Sequence, residues 1–463
     1  MIGNDAPYAF YLPEDADYTV VASALDSIRF LRHISQHDDA GLLLCASVDA
    51  ISSGELERYR GRLMEGTGYC ADSVFGSRML VRAGRALERP ELEEMGWSYL
   101  DHVLATGFFD DPTVPVMLYR DLETGVFLHN LEARTEYVEF GHVARVGYQL
   151  LELSFLDADS ARSARCTEIV RRVAQWVLAA ERCPNGWYPR RSTPEGAVYP
   201  YTPDAFGPMD LSGMAAHDPI HDRSGAGALA LELLVAASKA GLVDATSEVR
   251  QSVDAFVGAG GHFGSANTDT EDLAENVSYA LAFQALVAAA DLLDDEGVRS
   301  FAYDHCLAPL ADFELARDYN GIATKGLLLM ESSWNAACTW ETAEAAQAYL
   351  VAFAGRGRRE YLLKGMTILR AMAKHHHGEW GFLTEAVDWD GHSTAARHFQ
   401  GERYGDIATT HPFLNNLHVL QPTVTFLEQC ALKVDDGRGL AYYDPEGNRL
   451  CPIPLPYDDW MRA

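Results

Sequence analysis

The sequence predicts an all-α protein, a single-domain (α/α)6 toroid in which six helical hairpins close into a barrel. Three observations predict this fold. Helices that are apolar on nearly every face alternate with helices that carry one apolar stripe. Six such pairs follow one another along the 463 residues. The connections within this series are alternately short and long, and their lengths vary too much for an open solenoid with a strict repeat.

The apolar helices are the expected inner ring of the barrel. The clearest one opens at Thr339, and between Thr342 and Phe353 only Glu344 and Gln347 interrupt its apolar and small residues. A helix of this composition is buried on all sides and therefore needs an outer layer. The other five predicted inner helices are Asp72 to Leu87, Tyr137 to Leu156, Gly225 to Ala240, Leu273 to Leu293 and Phe413 to Leu432.

Each inner helix follows an amphipathic helix, which is the expected outer layer. The predicted outer helices are Thr19 to Ser35, Glu91 to Thr106, Ala161 to Arg182, Ser247 to Gly258, a helix running from the turn at Asp294 to Leu315, and one ending at His377. Residues 1–432 are therefore expected to form the barrel. The remaining residues, 433–463, are expected to be a tail packed on its surface.

The lengths of the connections predict where a site lies. Every connection from an inner to an outer helix is short, and every connection from an outer to an inner helix is long, polar and aromatic. All long loops therefore lie at one end of the barrel, together with the N-termini of the inner helices. The free amides and positive dipole ends of helix N-termini favour carboxylates and polar oxygens. This end, the mouth, is the predicted binding cleft.

Composition limits the partners and the compartment. The net charge of -30 argues against nucleic-acid or anionic-membrane partners, because both need a basic surface. The first residues are acidic, and no apolar run long enough to span a bilayer is evident, so a soluble cytoplasmic protein is expected. The eight cysteines have no CxxC spacing and are expected to be buried thiols.

No cofactor or metal is expected. The histidine pair with the most suggestive spacing, His217 and His221, flanks Pro219, and proline denies the helix that would align the two rings. No third ligand is evident in the sequence. Activity is therefore expected to survive exhaustive chelation.

Carboxylates at the openings of the inner helices are the candidate catalytic groups: Asp272, Glu341, Glu136 and Asp222. Glycoside cleavage needs two carboxyl groups, one to protonate the leaving oxygen and one to activate water or attack the anomeric carbon. The same openings also carry Tyr69 with Asp72 and Glu139 with His142. The competing interpretation is structural, because acidic side chains are favoured near helix N-termini in any case.

Aromatic and polar side chains near the mouth are the candidate substrate-binding groups. They are Trp187, His221, Arg223, Asn276, Trp334, Trp340, Trp380, His411 and Asn415. Flat aromatic faces among carboxylates suit a sugar ring, which is apolar on its faces and hydroxylated at its edge. Each tryptophan taken alone could instead anchor its loop to the core. The prediction depends on the convergence of the whole set on one end of the barrel.

The layout resembles the (α/α)6 six-hairpin glycosidase-like superfamily, which includes unsaturated uronyl hydrolases and N-acylglucosamine 2-epimerases. The segment GEWGFLTEAVDWDG (378–391) is similar to an aromatic-acidic hairpin of the epimerases, and DLETGVFLHN (121–130) is similar to a loop of the uronyl hydrolases. The resemblance implies a carbohydrate-active enzyme, a glycoside hydrolase or a sugar epimerase or isomerase, with a small sugar as substrate.

Two alternatives remain open at this point. Asp269, Glu271 and Asp272 resemble a degenerate form of the acid motif of terpene cyclases, whose domains are also α/α toroids and whose aspartic acid protonates an olefin. A non-catalytic ligand-binding toroid is the other alternative. The polar mouth argues against a cyclase cavity, and the clustered carboxylates argue against simple binding. A sugar-active enzyme is therefore the first prediction.

Overall fold

The structure is a computed structural model of the chain. It describes residues 23–28, 48–49, 67–121, 124–130, 135–199, 225–258, 275–330, 336–376, 383, 386–389, 409–410, 416–435 and 439–453.

Helices account for most of the described chain. They are α1 (Cys70–Ala86), α2 (Pro90–Ala105), α3 (Phe140–Leu156), α4 (Ser160–Ala179), α5 (Gly225–Lys239), α6 (Thr246–Gly258), α7 (Asn276–Leu293), α8 (Glu296–Ala302), α9 (Thr339–Arg356), α10 (Arg359–Ala373) and α11 (Asn416–Glu428). Residues 23–28 are also helical and precede α1.

The odd-numbered helices form a closed inner ring. Each inner helix contacts the next one in the order α1, α3, α5, α7, α9 and α11, and α11 contacts α1. The even-numbered helices lie outside, and each packs against the inner helix that precedes it in the chain. The predicted (α/α)6 toroid is therefore confirmed, and its ring of inner helices closes as predicted.

Burial follows the two hydrophobic patterns of the sequence. In α9, Ala345, Ala346 and Ala348 are all completely buried, because an inner helix has neighbours on every side. In the outer helix α10 only one stripe is buried, which includes Leu362 and Leu369. Burying one leucine side chain contributes roughly 1.5 to 3 kcal/mol to folding.

The short connections between inner and outer helices are tight turns. Asp159 caps α4, because its carboxylate accepts hydrogen bonds from the backbone amides of Ala161 and Arg162. Asp295 caps α8 in the same way. Gly357 ends α9 in the left-handed conformation, with φ of 65°, which glycine adopts without steric cost.

Short strands line the opposite, long-loop end of the barrel. They are β1 (Val48–Asp49), β2 (Thr67–Tyr69), β3 (Tyr119–Asp121), β4 (Phe127–Leu128), β5 (Val138–Glu139), β6 (Arg191–Ser192), β7 (Ala336–Cys338), β8 (Ala386–Asp388) and β9 (Thr409–Thr410). All pair antiparallel, in the orders β1-β9, β2-β3-β4, β5-β6 and β7-β8. The strands β2, β5 and β7 run directly into α1, α3 and α9, so they fix how these inner helices begin.

The predicted outer helix ending at Leu315 is not one regular helix. After the short α8, the chain forms a π-helical turn at Tyr303–Leu307 and a 3-10 turn at Ala308–Phe313. Pro309 lies at the start of the 3-10 turn and has no amide hydrogen to continue α-helical bonding. The amphipathic pattern therefore predicted the outer layer correctly for this segment. Its prediction of one regular α-helix was wrong.

The last predicted helix, Phe413 to Leu432, is shorter in the structure. Helix α11 ends at Glu428, and Ala431 already begins a three-stranded antiparallel sheet of β10 (Ala431–Asp435), β11 (Gly439–Tyr443) and β12 (Arg449–Ile453). The buried Asp444, in the hairpin after β11, lies 2.8 Å from Arg359 of α10. This ion pair holds the sheet against the outer layer.

One inner helix has the composition of a membrane span. Helix α7 is 18 residues long with a mean hydropathy of 1.4, which corrects the expectation that no run is long and apolar enough. In the structure 67% of it is buried inside the protein. Its place in the inner ring accounts for its apolar composition. Six of the described cysteines are free thiols, as expected, and five of these six are buried.

The substitution Gly227→Ala is expected to destabilise the barrel by about 1 to 3 kcal/mol, the usual cost of overpacking. A Cβ at this position in α5 would come within 2.1 Å of Nε1 of the buried Trp187, so the indole would have to move. Gly258→Ala, at the end of α6 with nothing within 4 Å of its Cβ, is the matched control. Urea unfolding of both variants measures the difference, and equal midpoints would contradict the packing of Trp187 described here.

Candidate active site

The mouth is built from the first turns of the inner helices and the strands that lead into them. Because a helix rises about 1.5 Å per residue, side chains at equivalent positions of the six helices form layers down the barrel axis. Two polar clusters occupy successive layers. The upper one contains Glu139 and His142 of α3, and the lower one joins α3, α9 and α11.

The upper cluster, the mouth dyad, consists of Glu139 and His142. Nδ1 of His142 lies 3.0 Å from Oε2 of Glu139 and 2.7 Å from the hydroxyl oxygen of Tyr69. The hydroxyl of Tyr119 donates a hydrogen bond of 3.0 Å to the same Oε2. An ionised carboxylate only accepts hydrogen bonds, so the contact with Glu139 is a hydrogen bond when Nδ1 carries a proton. The His142 side chain is 43% exposed, so the ring is accessible to a ligand.

Local structure explains why this dyad forms. Glu139 is the last residue of β5, His142 lies in the first turn of α3, and a separation of three residues places the two side chains on one face. Strand pairing puts Arg191 of β6 opposite Glu139. Burial raises the pKa of Glu139, but the hydrogen bond and charge of His142 and the charge of Arg191 outweigh it and lower that pKa. Glu139 is therefore ionised at neutral pH.

Two stacked tyrosines support the dyad from β2 and β3. The rings of Tyr69 and Tyr119 lie 4.4 Å apart and nearly parallel. Burial raises the pKa of Tyr69 well above its ordinary value, and the charges of Asp72 and Glu139 raise it further. Both hydroxyls therefore stay protonated, and both carboxylates lie close to the Tyr69 hydroxyl.

The lower cluster, the floor cluster, consists of Arg145, Glu344 and His418. The guanidinium of Arg145 lies 3.1 Å from Oε1 of Glu344, and Nδ1 of His418 lies 3.4 Å from the same oxygen. Gln284 of α7 donates a hydrogen bond of 3.2 Å to the other carboxylate oxygen. Helices α3 and α9 are opposite each other in the ring, so the Arg145 and Glu344 pair crosses the lumen.

Burial and charge set the protonation of the floor cluster. Burial would raise the pKa of Glu344, but the hydrogen bond with His418 and the charge of Arg145 lower it well below its ordinary range. Burial, and then the charge of Arg145, lower the pKa of His418. At neutral pH the cluster is therefore an ionised arginine and glutamate beside a neutral imidazole.

Aromatic rings enclose the floor cluster. Arg145 lies over the ring of Phe75, 4.9 Å from its centroid, and that ring also contacts His418 at 4.6 Å. Trp340 meets His418 edge-on with centroids 5.8 Å apart. Exclusion of water strengthens the electrostatic interactions inside such a cluster.

Most predicted site residues lie outside the described part of the chain. These are the catalytic candidates Asp272 and Asp222 and the binding candidates His221, Arg223, Trp334, Trp380, His411 and Asn415. His217 and the acid motif Asp269, Glu271 and Asp272 also lie outside it. Their assignments remain predictions.

Two of the described candidates, Glu341 and Trp340, lie in the first turn of α9. Glu341 is completely buried in the first turn of α9, at the level of the mouth. Trp340 is partly buried beside the floor cluster. Their predicted roles in catalysis and substrate binding remain predictions.

Three other described candidates have different surroundings. Trp187 is 1% exposed and packs on Phe256 of α6, so its indole is a core anchor and lies too deep to contact a ligand. Asn276 is buried, and its amide donates a hydrogen bond of 2.6 Å to the carbonyl of Leu329, which ties down the loop before α9. Glu136 is exposed on the approach to β5.

Arg145, Glu344 and His418 were not among the residues predicted to form the site. A signal was present, because Glu344 interrupts an otherwise apolar inner helix, and a charge there must face a polar partner or the lumen.

The described residues contain no group of three or more histidine, cysteine, aspartate or glutamate side chains that could hold a metal ion.

Solved structures with the same fold are enzymes that act on sugars. A cellobiose 2-epimerase from Bacillus thermoamylovorans B4167 superimposes with a TM-score of 0.59 at 11% identity, covering 86% of this chain and 95% of that one. A D-mannose isomerase gives 0.56 at 10% identity over 88% and 97%, respectively. An unsaturated glucuronyl hydrolase specific for heparin gives 0.55 at 10% identity over 89% and 97%.

No protein-family model and no curated protein sequence matches the chain. At 10 to 11% identity the structural likeness shows the fold alone, an (α/α)6 toroid. The activity has to be argued from the residues of this chain.

Proposed function

We propose that this (α/α)6 toroid is a sugar-active enzyme, and that it moves protons on a sugar bound at the mouth, as an epimerase or isomerase does. One observation carries the proposal. In the mouth dyad, the carboxylate of Glu139 lies 3.0 Å from Nδ1 of His142, and the His142 side chain is 43% exposed. A histidine oriented by a carboxylate in this way acts as a general base through its other ring nitrogen when that nitrogen is unprotonated.

The reaction follows from the dyad. Nε2 of His142 takes the proton from the carbon next to the carbonyl group of an open-chain sugar, and the electron pair of the C–H bond forms an enediolate. Returning a proton to the other face of the same carbon gives the epimer. Returning it to the neighbouring carbon, while the hydroxyl proton moves from the second oxygen to the first, gives the isomer. The negative charge of Glu139 stabilises the imidazolium that exists between the two steps.

The floor cluster holds the helices that carry the site in fixed positions. Because the Arg145 and Glu344 pair crosses the lumen, it fixes α3, which carries His142, against α9 on the far side of the ring. A site held on helices keeps its groups within the small tolerance that catalysis requires.

Glycoside hydrolysis is the second candidate function. The charges of Asp72 and Glu139 both act on the hydroxyl of Tyr69, so two carboxylates lie near one point of the mouth. Most glycosidases use a pair of carboxyl groups for catalysis. The mouth dyad favours proton transfer over hydrolysis, because Glu139 already accepts hydrogen bonds from two partners.

The fold supports a sugar as the substrate class. The proteins compared above include an epimerase and an isomerase of sugars and a hydrolase of unsaturated glucuronides by their names. A terpene cyclase would need an apolar cavity, whereas the described part of the mouth carries two ion-paired clusters. We therefore place the cyclase and the non-catalytic toroid below a sugar-active enzyme.

A panel of reducing sugars and glycosides separates the candidates. Incubation with mannose, glucose and cellobiose should give new epimers or isomers without new reducing ends. Unsaturated uronides and other glycosides should be unchanged. Release of a monosaccharide from a glycoside would favour hydrolysis, and no reaction with any member of the panel would count against the proposal.

The predicted acid pair can be tested separately. If Glu341 and Asp272 supply the second proton transfer, then Glu341→Gln and Asp272→Asn should each lower turnover by about two or more orders of magnitude. Each amide keeps the shape and the helix-capping capacity of the acid, so circular dichroism should not change. If both variants keep full turnover, neither acid takes part in the proton transfer.

A further inference from the structure

The lumen of the barrel contains a cavity of about 210 Å³, called the luminal cavity below. All six inner helices contribute to its lining, and Arg145 and Glu344 of the floor cluster are part of it. The lining mixes charged, polar and aliphatic side chains. With about 30 Å³ for each water, the luminal cavity has room for several waters or for one small molecule.

Five charged side chains line the luminal cavity, and four of them are already in ion pairs. Arg145 and Glu344 are paired with each other at 3.1 Å. Arg78 lies 3.3 Å from Glu152, and Asp291 lies 2.8 Å from an arginine of α8. These four charges therefore need no counterion from a guest.

Glu232 of α5 is the fifth charged residue, and it differs from the other four. Within the described chain, neither a hydrogen bond nor an ion pair reaches its carboxylate. Glu232 is partly exposed, whereas Leu231 and Leu233 beside it on the same inner helix are completely buried. Because Glu232 lines the luminal cavity, its accessible surface faces that cavity. Burial, followed by the charge of Glu344, raises the pKa of Glu232 to about 7.

Two further oxygen atoms lie in the same layer of the barrel. Glu232 is the eighth residue of α5, Tyr148 is the ninth of α3 and Gln284 is the ninth of α7, and α3 and α7 flank α5 in the ring. Tyr148 and Gln284 both line the luminal cavity and are partly exposed. The amide nitrogen of Gln284 donates to Glu344 and to a backbone carbonyl, which leaves the amide oxygen as an acceptor.

The hydroxyl of Tyr148 lies in the electrostatic field of Glu232. Burial raises the pKa of Tyr148, and the charge of Glu232 raises it further, so the hydroxyl stays protonated and its oxygen accepts hydrogen bonds. Three acceptors on three neighbouring helices thus surround one part of the luminal cavity.

The chemistry of these three groups fits an ammonium ion. A protonated primary amine has three N–H donors and no acceptor, so it matches three oxygen acceptors. A buried carboxylate without a counterion is costly, and a positive charge beside it removes that cost. A neutral hydroxyl group can donate to the same oxygens, but it leaves the charge of Glu232 uncompensated.

We propose that the luminal cavity binds a small primary amine, whose ammonium group pairs with Glu232 and donates hydrogen bonds to Tyr148 and Gln284. The carbon chain of the amine packs against Leu229 and Leu281, which line the same cavity. The floor cluster borders the bound amine. This inference concerns binding and does not rest on the proton transfer proposed for the mouth.

The test compares amines with neutral molecules of the same shape. The first pair is 2-aminoethanol and ethylene glycol, and the second is glucamine, an open-chain amino polyol, and sorbitol. None of the four has a carbonyl group, so none can be a substrate for proton transfer. Calorimetry on the full-length protein at pH 8 should show that at least one amine binds one-to-one and at least tenfold more tightly than its neutral counterpart. Excess tetramethylammonium chloride, which has no N–H donor, suppresses weak binding of cations to a surface with a net charge of -30.

The pH dependence of binding gives a signature that needs no variant. With a pKa of about 7, Glu232 is ionised in roughly a tenth of the molecules at pH 6 and in roughly nine tenths at pH 8. Alkyl amines stay protonated over this range. Only the ionised carboxylate compensates the ammonium charge, so the affinity for the amine should rise close to tenfold from pH 6 to pH 8. The affinity for the neutral counterpart should not rise.

Three variants complete the test. Glu232→Gln keeps the shape of the side chain and should abolish both the preference for the amine and its pH dependence. Tyr148→Phe keeps the ring and removes one acceptor, so it should weaken amine binding about threefold and keep the pH dependence. Glu94→Gln, exposed on the outer helix α2, changes the net charge equally and should bind as the wild type does.

Each result supports or overturns the proposal. It is overturned if neither amine binds the wild type more tightly than its neutral counterpart, if the affinity does not change with pH, or if Glu232→Gln keeps the preference for the amine. If Glu232→Gln does not fold, the pH profile of the wild type and the Tyr148→Phe variant decide.

Discussion

His142→Gln is expected to lower turnover on the sugar substrate by about 10² to 10⁴-fold, the usual contribution of a general base. Glutamine retains hydrogen-bonding capacity toward Glu139 and Tyr69, but its amide cannot take up a proton at neutral pH. Because the His142 side chain is 43% exposed, the substitution should hardly change the melting temperature. Steady-state kinetics together with thermal unfolding measures both quantities.

The matched control is His305→Gln. His305 is exposed on the π-helical turn of the outer layer, so this variant should keep turnover within about twofold of the wild type. Glu139→Gln should also lower turnover, because the neutral amide no longer stabilises the imidazolium. Full activity of the His142 variant would remove the dyad from the mechanism, whatever the control shows.

Glu344→Gln is expected to destabilise the protein by about 3 to 5 kcal/mol, which is the cost of removing one charged partner of a buried ion pair. The side chain of Glu344 is only 3% exposed, and its removal leaves the charge of Arg145 without a counterion in the lumen. Urea unfolding at pH 7 measures the loss. A double variant, Arg145→Leu with Glu344→Leu, should regain most of it, because both charges are then absent.

The same pair has a pH signature. A carboxylate whose pKa is lowered by folding contributes stability above its unfolded pKa, near 4.3, and loses that contribution as the pH falls through the folded value. The wild type should therefore lose stability more steeply than Glu344→Gln below about pH 4.5. If the free energy of unfolding falls with pH equally in the two proteins, Arg145 and His418 do not keep Glu344 ionised.

The fold could be predicted because its signal is local. The apolar stretch from Thr342 to Phe353 and the one-sided stripe of α10 each show their layer within one or two helical turns. The alternation of short and long connections then predicted which end of the barrel is the mouth. The end of α11 and the sheet from Ala431 to Ile453 were missed, because apolar residues that continue a helix and those that begin a strand look alike over such a short run.

The site could be predicted only in part, because side-chain direction depends on packing between distant segments. Arg145 and Glu344 are 199 residues apart, and only the closure of the ring brings them together. Asn276 was placed correctly at a helix opening, yet its amide is directed to Leu329. Trp187 was placed correctly in a long loop, yet the absence of a side chain at Gly227 admits it to the core.

The most direct test of the proposed proton transfer is solvent exchange. Mannose, glucose and cellobiose are incubated with the protein in deuterium oxide, and proton NMR follows the hydrogen on the carbon next to the carbonyl group. If His142 is the general base, the wild type replaces this hydrogen with deuterium in at least one sugar as epimer or isomer forms, and His142→Gln does so at least a hundredfold more slowly. Exchange at equal rates in both proteins, or sugar conversion without any exchange, would contradict this role of His142.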